Sequence, residues 1–137
     1  MNLSLVDAFR AFGAKPNSRL RCASAMAEDG AMVLNCSYAH FGHPARGVLR
    51  YEDRLSRETG NPEDARRLSE HLTLARDGAL PIRMVVTSRT EENSPGPRTF
   101  YVRPDLTGKV VKFDGDHFIV DFTRPEEVEA ISAVRRR

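Results

Sequence analysis

The sequence carries almost no surplus charge: 21 basic against 19 acidic residues leave a formal net charge of +2. Domains that adhere non-specifically to DNA show a plainly basic balance, so strong domain-wide attraction to nucleic acid is excluded while local patches stay open. Long apolar runs are missing too; none approaches the roughly 18 residues that span a bilayer. The opening MNLSLVDAFRAFG has neither a basic start nor a long greasy stretch, so the expectation is no membrane, no export and a cytoplasmic chain. Glycine is too dispersed to cradle phosphates, because neither GxGxxG nor GxxxxGK[ST] occurs, and no cofactor is expected. There is no GxSxG elbow and no CxxC pair, which removes the usual hydrolase and redox signatures.

What is present is an ordinary globular composition, 40% hydrophobic and 29% charged over 137 residues, which reads as one α+β domain over residues 1–137. Ser4 followed by Leu5, Ala8, Phe9 and Phe12 predicts a capped helix over 5–12. Residues 19–38 read as a hairpin around Glu28, Asp29 and Gly30 in which paired residue numbers sum to 58. That register sets Cys22 opposite Cys36 on an apolar inner face. It leaves Arg19, Arg21, Ala23 and Ala25 on an outer face with Val33, Asn35 and Ser37, free to meet water or a partner.

Residues 39–50 hold so many turn formers that they read as a loop, with a short strand conceivable over 47–51. Asn61 before Pro62, Glu63 and Asp64 predicts a helix ending at Gly78. The run from Leu80 to Ser88, apolar on both faces from Met84 to Val86, predicts the central strand. A mobile loop is expected near 90–97, extended structure over 98–102, a second hairpin around Asp114, Gly115 and Asp116, and a terminal helix over 125–137. The order favours a largely antiparallel sheet of about five to six strands flanked by two or three helices.

The chemistry-bearing residues are few. His40 and His43 lie three apart with no second ligand pair, so they are weak metal candidates and no metal is assigned. Asp105 with Lys109 and Lys112 lacks the acidic residue that a restriction-type nuclease places two before its lysine. Both cysteines are expected to be reduced, buried and structural. Arginine outnumbers lysine 18 to 3, and the fold order can gather Arg19, Arg21, Arg46, Arg50 and Arg98. Arginine's planar fork suits phosphate, although a GC-rich genome yields the same bias without a functional cause.

The pieces NSRLRCASAMAEDGAMVLNCSY, EHLTLARDGALPIRMVVTS and PRTFYVRPDLTGKVVKFDGDHF together resemble a family of short, uncharacterised bacterial proteins. Members often carry tryptophans on the first hairpin strand, where this chain has Leu20 and Cys22 and no tryptophan anywhere. The resemblance implies the element order and a bacterial setting, in defence or a mobile element, and no activity. The functional expectation is a non-catalytic module binding nucleic acid or an acidic protein surface. The alternatives are a small metal-dependent nuclease using the His40/His43 loop, and a protein-interaction adaptor subunit.

Overall fold

The computed structural model describes residues 3–18, 22–57, 61–87 and 99–125. Ser4 caps α1 (Leu5–Arg10), its Oγ accepting from the Asp7 N–H at 3.1 Å. Strands β1 (Ser24–Met26) and β2 (Met32–Ser37) pair with Ser24 opposite Leu34 and Met26 opposite Met32, the expected register. Gly30 turns the chain at φ +91°, a conformation that costs a residue without Cβ nothing.

The predicted loop after β2 is instead mostly strand. A single 3₁₀ turn, Tyr38–His40, leads into β3 (Phe41–Ala45) and β4 (Val48–Arg54), joined through Arg46 and Gly47. Pro44 and Gly42 misled the reading because β3 is an edge strand, where a missing N–H faces solvent and removes no ladder bond. Asn61 caps α2 (Pro62–Gly78) as expected, its side chain accepting from Asp64 N–H at 3.0 Å. The left-handed stop falls on Ala79 at φ 51°, one residue beyond Gly78.

Next come β5 (Ile82–Thr87), β6 (Phe100–Val102), β7 (Thr107–Phe113) and β8 (His117–Thr123). Asp114 Oδ1 holds the last turn by accepting from the N–H groups of Asp116 and His117. The predicted mobile loop near 90–97 and all but the first residue of the terminal helix lie outside the described residues.

The fold is α+β with a mostly antiparallel open sheet of eight strands, more than the five or six expected, and two α-helices among the described residues. The order is β1-β2-β5-β7-β8-β4-β3, with β6 added to β5 and, among the described residues, only β2 and β5 parallel. The strand count rose because the presumed loop supplies β3 and β4.

The sheet is buried on both sides where the helices lie. Leu68, Leu72 and Ala75 of α2, which lies over β1 and β7, share one buried cluster with Met32, Leu34, Cys36 and Val120. Leu5, Ala8 and Phe9 of α1 pack on Ala25, Val33 and Val85. The outer hairpin face expected to meet water is therefore, at Ala25 and Val33, a second core covered by α1.

Nor do the cysteines face each other. Ala23 turns inward, its N–H bonding the buried Asp64 carboxylate at 3.0 and 3.1 Å, and the two-residue alternation breaks there. Cys22 then belongs to the α1 side and Cys36 to the α2 side, both free and buried.

The sheet curls strongly. Four inter-strand spacings of about 4.8 Å separate β2 from β4, roughly 19 Å in a flat sheet, yet the Tyr51 hydroxyl of β4 accepts from the Ser37 N–H of β2 at 3.0 Å. One tyrosine side chain cannot cover that distance, so the α2 side is concave. Gly108 permits tight packing within it: a Cβ there would stand 2.7 Å from the Phe122 ring and 3.0 Å from Val120. With Phe122 fully buried and unable to yield, Gly108→Ala is expected to cost about 1–3 kcal/mol. Urea denaturation measures that loss.

Candidate functional site

Strands β6 and β7 run along the same edge of β5, since its other edge is taken up by β2 over Ile82 to Thr87. Strand β7 pairs with β5 only at Ile82 and Gly108, then turns away with β8 and β4, while β6 stays on β5 from Val85 to Thr87. The two branches diverge around the excursion Arg103 to Leu106, and a cleft of about 490 Å³ opens on the concave face between them. Met84, Val86 and Tyr101 form the β5 and β6 wall; Phe41, Leu49 and Phe122 form the opposite wall. Tyr38, which is 42% exposed, and the buried Leu106 complete the apolar lining.

These walls follow from alternation. Met84 and Val86 are the even-numbered residues of a strand apolar on both faces, and Leu49 and Phe122 are cross-strand partners in β4 and β8. These walls are therefore aromatic and aliphatic, and no carboxylate stands among the described lining residues. A concave, largely apolar site with a few polar groups at its mouth is the usual form of a ligand site.

The polar groups at the mouth are His43, Arg103 and Arg124. Arg103 donates to Asp105 through Nε and Nη2 at 3.1 and 3.0 Å, and Arg124 Nε reaches the same carboxylate at 3.5 Å. The hydrogen bond from Arg103 holds the Asp105 carboxyl below its ordinary range, with Arg124 adding to the effect, so Asp105 is ionised near neutral pH. Two guanidinium groups share one carboxylate, leaving one positive charge at the rim, with both arginine side chains more than a third exposed. That combination can hold an anion whose body is apolar or flat.

Of the arginines singled out from the sequence, Arg19, Arg21 and Arg98 lie outside the described residues. Arg46 is exposed in the β3 to β4 turn, next to Gly47 at the cleft mouth. Arg50 points to the opposite, convex face, where Asp121 accepts from its Nε and Nη2 at 2.7 and 2.9 Å. Its charge is already compensated.

His40 packs edge-on to Tyr51 at 6.3 Å, whereas His43 lines the cleft. Among the described residues no three His, Cys, Asp or Glu side chains stand close enough to hold a metal ion. No helix among them is long and apolar enough to cross a membrane. The sequence reading overlooked Arg103 and Arg124, though an arginine ending one strand and another just after β8 were visible signals.

Outside the cleft, the buried Ser24 hydroxyl and His71 Nδ1 of α2 lie 2.7 Å apart. Ser24 is 2% exposed, so no substrate reaches its oxygen and the pair is a strut between helix and sheet. Burial lowers the His71 pKa from 6.5, so its proton is taken up more readily by the unfolded chain. Stability contributed by neutral His71 is present above about pH 6.5 and is lost as pH falls towards the depressed folded value. Thermal melts between pH 7.5 and 5 should show this decline, and His71→Gln should flatten it. Burial likewise raises both thiols, Cys36 the more strongly, which keeps them protonated and unreactive.

No protein-family model, curated protein or solved structure matches the chain.

Proposed function

We propose that this chain is a non-catalytic binding module that holds nucleic acid at the concave cleft. The observation that carries the reading is an aromatic and aliphatic cavity of about 490 Å³ whose mouth bears two arginines sharing one carboxylate. Nucleic acid offers the complementary pair of features, a flat base that stacks on aromatic side chains and a phosphate that accepts from guanidinium groups. The near-neutral overall charge limits the attraction to this local site, so affinity is modest and rests on few phosphates. An acidic protein surface matches the rim but leaves the apolar interior unused.

Titrating a short oligothymidylate at several salt concentrations tests the proposal. Two or three phosphates held by Arg103, Arg124 and Arg46 predict a log-log salt slope of about −1.5 to −2 for a single strand. Absence of binding at about 50 mM salt would leave the cleft to another ligand.

A further inference from the structure

Resting on the nucleic-acid reading of the cleft, we infer that the site admits one unpaired nucleotide of a strand, and that Asp105 is the resident counter-ion which its phosphate displaces. A cavity of about 490 Å³ is of the size that encloses one drug-sized molecule, a nucleoside monophosphate for example. A duplex offers only base edges along its grooves, and its bases reach such a cavity only when taken out of the stack.

The walls present carbon, sulfur and aromatic faces: Phe41, Val86 and Phe122 carry no side-chain donor or acceptor, and the Met84 thioether is only a weak acceptor, so they do not read a base edge. Stacking on Tyr38 or Tyr101 accepts any base, so the site discriminates paired from unpaired and not one sequence from another.

Asp105 lies 40% exposed between two cations, and a carboxylate in that position occupies the donors that a phosphate needs. The engagement is lopsided. Arg103 gives Asp105 two short bonds, whereas Arg124 reaches it only through Nε at 3.5 Å, with its side chain 52% exposed. A phosphate therefore meets Arg124 first and exchanges with Asp105 at Arg103. Wild-type affinity is set below what the two arginines alone would give.

The experiment measures binding of a short oligothymidylate, a blunt duplex and adenosine 5′-monophosphate to the wild type, Asp105→Ala and Asp105→Asn. Thermal melts show that each variant is folded. The strand is expected to bind both variants about tenfold more tightly than the wild type, and to bind the wild type at least tenfold more tightly than the duplex. Weaker or unchanged binding by the folded Asp105 variants overturns the counter-ion role while leaving the nucleic-acid reading intact. Equal affinity for duplex and single strand overturns the unpaired-nucleotide assignment.

Adenosine 5′-monophosphate should bind at least tenfold more weakly than the strand, because only neighbouring phosphates reach Arg46. Equal affinity would assign the site to a free nucleotide. If strand, duplex and mononucleotide all fail to bind every protein, the underlying reading fails instead.

Discussion

Asp53→Ala is expected to lower the unfolding free energy by about 3 kcal/mol, measured by urea denaturation. Asp53 is 7% exposed, accepts from the Tyr51 hydroxyl at 2.6 Å and is clasped by the Arg57 guanidinium at 2.6 to 2.9 Å. The Arg54 N–H donates to it as well, at 2.8 Å. Removing the carboxylate strands the hydroxyl of the fully buried Tyr51 and loosens the contact to Ser37 that holds the curl. Tyr51→Phe deletes the same link from the other side, so the double variant should cost less than the sum of the two singles.

Acidity acts through this group too. Burial pushes the Asp53 carboxyl up, but the hydrogen bonds from Arg57, Tyr51 and the Arg54 N–H outweigh it and leave the carboxyl below its ordinary range. Its contribution is therefore present above the usual carboxylate pKa of about 3.9 and is lost as pH falls below it. Asp53→Ala should weaken that acid limb of the stability profile.

The second large effect falls on binding. Replacing Arg103 and Arg124 together by alanine should cost about 2–3 kcal/mol of affinity for a single strand, roughly 30- to 150-fold. Stability should change by less than about 0.5 kcal/mol, because both side chains are more than a third exposed and their partner Asp105 stays solvated. Arg50→Ala is the control. Its guanidinium lies on the convex face against Asp121, and affinity should not move.

Local signals in the sequence were sufficient where an element is defined by its own residues. Asn61, Pro62 and the Leu68, Leu72, Ala75 stripe specify α2 without reference to anything distant. Met84 to Val86 is apolar on both faces because Met84 and Val86 join one buried cluster and Val85 the other. The first hairpin's register follows from loop length alone.

Errors came where distant residues decide. Gly42, Pro44 and Gly47 read as loop formers, but β4 finds its partner in β8, about 70 residues on, and carries β3 with it. Cys22 leaves the inner face because Asp64, 41 residues away, takes the Ala23 N–H. The cleft was illegible for the same reason. It exists because Tyr51 bends the sheet onto Ser37 and because β6 and β7 divide a single edge of β5, and it joins Arg103 to Arg124 across a hairpin. A rule based on spacing two along one strand points to Arg19 and Arg21 instead.

Occupation of the concave cleft by nucleic acid is measured by following backbone amide and aromatic resonances by NMR as a short oligothymidylate is added. The largest shifts are expected to cluster at Tyr38, Phe41, His43, Tyr101, Arg103 and Arg124, and to vanish in the Arg103→Ala/Arg124→Ala protein. Shifts confined to the convex face around Arg50, Lys109 and Asp121, with the cleft resonances unmoved, would contradict it.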